Sequence, residues 1–563
     1  MKPNQIKRIE HIYRRKIPPQ KVVTPEIARL LLELSIEIRR QIGILVARRG
    51  SIEFVIVGDQ KGIAIPDLSR FRTGILRLRG LRLIHTHLQG EPLTSEDLTD
   101  LTLLRLDMMM ALSVEGKNSS GRFHSAHLLP DNPDKKVLEV NSTSSAGDLD
   151  VDFLKWIQSL EDEFQRGQKS VPLKGAKERA ILISVSKESR EKLEHSMEEL
   201  GELAESSRVF VVGSIIQRPQ NISPTTLMGE GKLRELLVRC MQLGVDLIIF
   251  DQNLSPGQMA TISDLTELRV LDRTQLILDI FAQRANTLDG KIQVELAQLK
   301  YLFPRLARKT LALSRLTGGI GGRGPGETKL EIDRRRVGDR IHLLEKEIEK
   351  LSRRREQRRS RRAKTRIPIL SIVGYTNAGK STLFNLLTRS QVHVEDKLFS
   401  TLDTATRKLR FPRIQKVVIT DTVGLIKDLP KDLMGAFRPT FDELKESTLL
   451  IHLIDISDPR FPEHIESVER ILFELKLDHI PRLRVFNKED RLSLEEGKAI
   501  SQKYAGVSIS ALRPESLEKF FHAVDKELWE VGMTQNRDSP PSAGMDKVRL
   551  TNEDSFDISN QIG

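Results

Sequence analysis

Eight consecutive residues, Gly374, Tyr375, Thr376, Asn377, Ala378, Gly379, Lys380 and Ser381, fit the pattern of a glycine-rich phosphate loop. They follow the apolar run 369–373 and precede a helix expected to begin near Ser381. The glycines let backbone N–H groups curl around a phosphate, and the helix N-terminus adds its dipole. Lys380 is placed to reach the β- and γ-phosphates, and the Ser381 hydroxyl to bind Mg²⁺. Three further sets follow in order. Asp421, Thr422, Val423 and Gly424 come after the run 417–419, so that Asp421 holds Mg²⁺ through water and the Gly424 amide senses the γ-phosphate. Asn487, Lys488, Glu489 and Asp490 follow the run 483–486. A carboxylate at Asp490 accepts from both N1–H and the exocyclic amine of guanine, a pair that adenine lacks. Ser508, Ile509, Ser510 and Ala511 close another strand, with a backbone amide for guanine O6. All four sets fall at C-terminal strand ends, where open α/β sheets bind ligands. The ordered set implies a guanine nucleotide, GTP or GDP.

Hydrolysis needs more. Phe399, Ser400, Thr401, Leu402 and Asp403 lie between the first two motifs, where Thr401 is expected to complete Mg²⁺ coordination. Lys380, Thr401, Gly424 and Asn377 are the expected catalytic set. Asn377 is positioned to help hold K⁺ beside the phosphates. Leu425 stands where Ras-like proteins place the glutamine that orients water. Leucine can neither donate nor accept a hydrogen bond, so catalytic help must come from elsewhere and intrinsic turnover should be slow.

These residues need a scaffold, and the rest of the chain is read for it. With 563 residues, the chain has room for three or four domains. Its 39% hydrophobic content supports cores, and no apolar run is long enough to span a membrane. One cysteine, Cys240, excludes an internal disulfide. With no secretory signal at the basic N-terminus, the expectation is a soluble, cytoplasmic protein, and a monomer. The fold class expected is α/β and multidomain. A P-loop GTPase domain, with a parallel sheet and flanking helices, is preceded by a small α/β domain and a helical hairpin. The boundaries are an α/β extension at 1–150, a linker at 151–177 and an α/β domain at 178–285. A hairpin at 286–366, the nucleotide domain at 367–531 and a disordered tail at 532–563 follow. In the extension, a helical period starts at Thr24 and Pro25 and continues to Leu45, with strands over 52–57 and 81–84.

The hairpin rests on two apolar seams. Ile292, Leu296, Leu299, Phe303, Leu306 and Leu313 form one, and Leu330, Val337, Ile341, Leu344, Ile348 and Leu351 the other. Between them, residues 318–326 are too rich in glycine for a helix. Net charge is +12, yet residues 305–366 alone carry 21 Lys/Arg against 8 Asp/Glu. The positive charge therefore sits almost wholly on the hairpin, densest from Arg353 to Arg362, and reads as a footprint for a polyanion such as RNA.

From about Ala180 to Ala511 the chain resembles the HflX family of ribosome-associated GTPases. Gly229 to Lys232, Phe250 and Asp251, Leu254 to Pro256 and Asp272 to Ala282 resemble the family's amino-terminal domain. Val294 to Leu299 and Gly318 to Lys329 resemble its helical linker. Leu425 departs from the family's usual phenylalanine, a change between apolar residues, and Thr404 from its usual proline. The resemblance implies GTP hydrolysis and binding to the large (50S) ribosomal subunit and its RNA. The hairpin tip would be directed towards the peptidyl transferase centre, in ribosome biogenesis, rescue or subunit dissociation.

One constellation lies outside that resemblance. His85 and His87 alternate on a strand, so both imidazoles share a face and could bind one Zn²⁺ with Asp97. This loosely resembles the metal motif of JAMM-type isopeptidases, with Glu53 as general acid/base, one residue short in spacing and with Thr94 in place of the usual serine. It leaves a second reading open, a metal-dependent hydrolase regulated by its GTPase domain, and Leu425 leaves a third, a GTP-gated RNA-binding platform with negligible turnover.

Overall fold

The computed structural model describes residues 1–71, 77–114, 121–143, 152–169, 178–317, 329–363, 367–388, 399, 405–409, 417–427, 434–435, 437 and 441–537. Two compact units emerge. One comprises 1–354 with 395–403 and 428–439; the other comprises 355–394, 404–427 and 440–563.

The first unit opens with helices α1 (Pro3–Glu10) and α2 (Pro25–Ile38). Thr24 caps α2, accepting from Ile27 N, and Pro25 occupies its first turn. The helix stops at Ile38 because Arg39 takes a left-handed conformation, φ 57°. Leu45, expected on this helix, lies instead on strand β1 (Ile42–Ala47), where its side chain is buried. Strands β2 (Ile52–Val57), β3 (Leu81–His87), β4 (Met108–Val114), β5 (Gly121–Leu128) and β6 (Leu138–Thr143) complete a sheet of order β2-β1-β3-β4-β5-β6. Only β3 and β4 pair in parallel, joined through α3 (Ser95–Leu103).

The segment expected to be a linker is largely a helix, α4 (Phe153–Lys169). Phe153, Ile157, Leu160 and Phe164 recur at helical spacing and are buried in the sheet's core. Arg48 fixes it to the sheet, donating to Glu161 (2.7 Å) and in two bonds to buried Asp107 (2.6 and 2.9 Å). Trp156 packs edge-on against His127.

Strands β7 (Glu178–Val185), β8 (Val209–Gln217), β9 (Leu247–Phe250) and β10 (Arg269–Asp272) form an all-parallel sheet, order β10-β9-β7-β8, as the strand–helix rhythm predicts. Helices α5 (Arg190–Ser206), α6 (Glu230–Leu243), α7 (Pro256–Thr266) and α8 (Arg273–Arg284) connect and flank it. Asp272 caps α8 through Gln275 N (2.9 Å) and accepts from Leu254 N (3.0 Å) and the Tyr301 hydroxyl, bracing helix α9 (Leu288–Thr317) against the sheet. Cys240 lies on the buried side of α6, and burial raises its thiol pKa.

The extension is docked on this second sheet. Val238 and Met241 of α6 enter its core. Gln242 donates to Leu129 O (3.0 Å), Arg239 pairs with Asp131 (2.9 Å), and Glu267 bridges Arg79 and Arg105. Helices α9 and α10 (Lys329–Ala363) follow; Ile292, Leu296, Leu299, Ile341, Leu344, Ile348 and Leu351 of the two seams pack together. Arg340 pairs with Glu295 and Lys300 with Glu345 across them. The glycine-rich tip lies outside the described residues.

The second unit is a six-stranded sheet of β11 (Ile369–Gly374), β12 (Ala405–Leu409), β13 (Val417–Asp421), β14 (Leu449–Asp455), β15 (Arg482–Asn487) and β16 (Gly506–Ser508), order β12-β13-β11-β14-β15-β16. All pairs are parallel except β12 with β13. Helix α11 (Lys380–Thr388) leaves the end of β11. The last helix, Leu517–Arg537, runs six residues past the expected start of the tail at 532. Among the described residues, no helix is long and apolar enough to cross a membrane.

The placement of α4 is testable through its own fluorophore. Phe153 is 1% exposed and carries the Arg82 guanidinium 4.5 Å over its ring. Phe153→Ala should destabilise this domain by about 3–5 kcal/mol. In denaturant unfolding followed by tryptophan emission, the Trp156 transition should move to lower denaturant; an unshifted midpoint would contradict this packing.

Candidate nucleotide-binding site

Parallel pairing brings the ends of β11, β13, β15 and β16 to one edge of the second unit's sheet, and the four motifs lie there. Gly374 ends β11, where a Cβ would stand 2.2 Å from Leu453 O, too close for any other residue. Asn377 turns the loop in a left-handed conformation, φ 62°, with its side chain exposed. Gly379 has φ +89°, and a Cβ on it would meet Asn487 Nδ2 at 2.4 Å.

Lys380 opens α11 and is buried; its Nζ donates to Tyr375 O at 2.7 Å, closing the loop on itself. Burial lowers its pKa to about 8, although Asp421 opposes the shift. Ser381 Oγ donates to Asp421 Oδ2 at 2.8 Å, joining two of the three expected Mg²⁺ residues. Both offer hard oxygen donors, the ligand type that suits Mg²⁺. Thr422 Oγ1 donates to Ile372 O (2.6 Å) and Val423 is buried. Gly424 faces the lysine, since a Cβ there would lie 3.1 Å from Lys380 Nζ.

At the base end, Asn487 Nδ2 donates to Ala378 O (2.9 Å) while its Oδ1 accepts from Ala511 N (2.9 Å). Lys488, left-handed at φ 64°, pairs with Asp455 (2.6 Å). Glu489 N donates to Ile509 O, and the Ser510 hydroxyl donates to Asp490. Ser508 is buried at the end of β16.

Two partners, His464 and Lys427, carry no motif signal. The Tyr375 ring stacks on His464 at 4.0 Å, and its hydroxyl accepts from Lys427 N (3.0 Å). Leu425 is 2% exposed and its backbone pairs with the phosphate loop, donating to Gly374 O (3.1 Å) and accepting from Thr376 N (2.9 Å). An apolar side chain is what this position needs. Phe399 is buried against Phe281 in the first unit, ring centroids 4.7 Å apart. Ser400, Thr401, Leu402 and Asp403 lie outside the described residues.

Comparison with known proteins follows the same order along the chain. Residues 194–282 match the family profile described as GTP-binding GTPase N-terminal, and 284–362 the GTP-binding GTPase Middle Region. Residues 369–488 match the profile described as 50S ribosome-binding GTPase. The protein named GTPase HflX from Caldanaerobacter subterraneus subsp. tengcongensis is 44% identical over 354 residues, 63% of this chain and 81% of that protein. The chain belongs to the HflX family of GTPases. GTPase HflX of Escherichia coli is 44% identical over 317 residues, 56% of this chain and 74% of that protein. A GTP-binding protein of Sulfolobus solfataricus, solved with GDP, aligns at a TM-score of 0.35 and 24% identity, over 63% of this chain and 99% of that one. GTP binding and GTP hydrolysis are the family's activity, and Mg²⁺ is its usual ion. The matched profiles begin at 194, so the first domain lies ahead of all three.

Lys380 gives the HflX-family site a pH dependence. A phosphate needs the charged ammonium, and burial leaves that form in surplus only below a pH of about 8. GDP affinity should be flat from about pH 6.5 to 7.5 and fall towards tenfold per unit above about 8. Isothermal titration across that range checks it; a flat profile would mean that the free protein's lysine stays fully charged.

Proposed function

We propose that this chain hydrolyses GTP with Mg²⁺ on Ser381, Asp421 and Thr401, and uses its nucleotide state to control association with the large ribosomal subunit. The observation that carries this reading is the meeting of four guanine-nucleotide motifs at one sheet edge, in a chain whose excess positive charge sits on a helical hairpin. When bound, Mg²⁺ would neutralise charge building on the phosphates. The chain's own residues do the rest. Backbone amides from Gly374 to Ser381 cradle the phosphates, and Lys380 leaves Tyr375 O to meet them. Asp490 accepts from the guanine edge, while Gly424 stands beside Lys380 where a γ-phosphate would arrive.

Leu425 offers no hydrogen bond to an attacking water, so the catalytic group comes from a monovalent cation and from the ribosome. Asn377, exposed at the apex of the phosphate loop, is placed to ligate K⁺. The basic arm, Arg353 to Arg362, suits RNA phosphates, and residues 318–326 suit irregular RNA shape. The site of action is the cytoplasm, where the chain works as a monomer.

GTP turnover should rise at least tenfold when large subunits are added, and should be faster in K⁺ than in Na⁺ at equal ionic strength. Rates equal with and without subunits would refute the ribosome as the source of catalytic help; equal rates in both salts would refute the role of Asn377.

Neutralising Arg353, Arg354, Arg355, Arg358 and Arg359 to glutamine together should weaken co-sedimentation with large subunits. Each lost phosphate contact should flatten the log–log salt dependence by roughly 0.7–0.9. Wild-type affinity and slope in this variant would show that the arm is merely solvated.

A further inference from the structure

We propose that the first domain holds one zinc ion on His85 Nε2, His87 Nε2 and the Asp97 carboxylate, and that this ion pins α3 where the extension meets the next domain. The argument starts from placement. His85 and His87 alternate on β3, third of the six strands in spatial order, so both rings project from one face. Both are almost wholly buried, at 0 and 2% exposure. Gly43, opposite His85 in the register, leaves room for Ile63 to cover this face; a Cβ there would lie 2.7 Å from Ile63 Cδ1. Asp97 comes from the first turn of α3, fixed by a reciprocal cap with Thr94. Thr94 N and Oγ1 each donate to Asp97 Oδ2 at 2.7 Å, and Asp97 N donates back to Thr94 Oγ1. Among the described residues, these three make up the group whose ligand atoms converge.

The distances fit a tetrahedral ion. His85 Nε2 and His87 Nε2 are 2.9 Å apart, His85 Nε2 and Asp97 Oδ1 3.2 Å, and His87 Nε2 and Asp97 Oδ2 3.4 Å. Ligands about 2.0–2.1 Å from a tetrahedral zinc stand about 3.3 Å from one another. Proton arithmetic points the same way. His87 Nδ1 lies 3.0 Å from Glu91 O, a carbonyl that can only accept, so Nδ1 carries a proton. A neutral His87 therefore turns a lone pair from Nε2 into the cluster. A proton on either inward nitrogen can fork to the other two groups, but leaves the third contact acceptor against acceptor. Protons on both nitrogens set two N–H groups face to face. No placement of protons around an ionised Asp97 gives all three contacts one donor each. A cation at the centre satisfies them together.

The donor set selects the metal class: two imidazoles and one carboxylate at tetrahedral spacing suit Zn²⁺, and water takes the fourth position. Glu53, the general acid/base expected from the sequence, is held elsewhere, accepting from Ser51 Oγ (2.6 Å) and Arg49 (2.9 Å). The centre's mechanical connection is short. Ser95 O, two residues before Asp97, accepts from Arg234 Nη1 of α6 at 3.2 Å, so fixing Asp97 fixes the end of α3 that touches α6.

The test uses the full chain, stripped by a chelator and then saturated with Mg²⁺ and GDP so that the nucleotide site is filled. Zn²⁺ is titrated in competition with a chromogenic indicator. One equivalent should bind with a sub-micromolar Kd, and Asp97→Asn and His87→Gln should each weaken it at least tenfold while GDP affinity stays unchanged. Because a variant could fail to fold, Co²⁺ is also added to the wild-type chain, which should give visible absorption of tetrahedral intensity that Zn²⁺ abolishes. Substoichiometric Zn²⁺ binding, a Co²⁺ spectrum of octahedral intensity, or wild-type Zn²⁺ affinity in both folded variants would overturn the proposal. None of these outcomes depends on GTP turnover or ribosome binding.

Discussion

The carboxamide of Asn487 is the interaction on which the nucleotide site depends. Its amide hydrogen goes to Ala378 O in the phosphate loop and its oxygen takes Ala511 N in the loop that faces the base. Both partners are backbone groups in a buried setting, where an unmet donor or acceptor costs about 1–3 kcal/mol. One side chain thereby ties the loop after β11 to the loop after β16. The same bond explains Gly379, because Asn487 Nδ2 occupies the space a side chain would need. The parallel strand order makes the bond possible, since β11, β15 and β16 deliver their loops to the same edge.

Around that fixed frame, charge is held ready rather than spent. Lys380 is buried and bonded to a carbonyl of its own loop, and the charge of Asp421 offsets part of the cost of keeping it charged. A phosphate restores what burial removed. Ser381 and Asp421 are similarly bonded to each other, an arrangement that a divalent cation would loosen by taking the serine oxygen and reaching the aspartate through water. Leu425 belongs to the frame as well. Its backbone continues the pairing between β11 and β13 past the strand ends, and its buried side chain supports that turn. Hydrophobic identity here is a packing requirement, which is why the position does without a hydrogen-bonding residue.

Local signals were legible in the sequence and distant ones were not. The phosphate loop, the aspartate motif and the base motif each fit within eight residues, and their chemistry follows from residue type and order. The second sheet followed from alternating runs of Ile, Leu and Val, and the hairpin seams from leucines at heptad spacing. The helical period from Ile27 ran on to Leu45 only because Arg39 was read as helical, and nothing in an arginine announces a left-handed turn. The expected linker at 151–177 ends in a polar stretch from 165, which masked the core-facing stripe of Phe153, Ile157, Leu160 and Phe164 in its first half. Tyr375 on His464 and Phe399 on Phe281 join residues about a hundred positions apart, a distance at which no spacing rule operates.

Cys240 has a practical consequence. It is the chain's single thiol, packed in the core between the second sheet and its helices, and burial keeps it in the unreactive protonated form. Maleimide dyes should therefore pass over the native protein. A surface cysteine introduced on the hairpin arm or at the edge of the nucleotide sheet would be the one position labelled, with no background residue to remove. The natural sequence is already a host for site-specific fluorophores, and two such cysteines, one in each unit, would let their separation be followed by energy transfer through a cycle of nucleotide exchange.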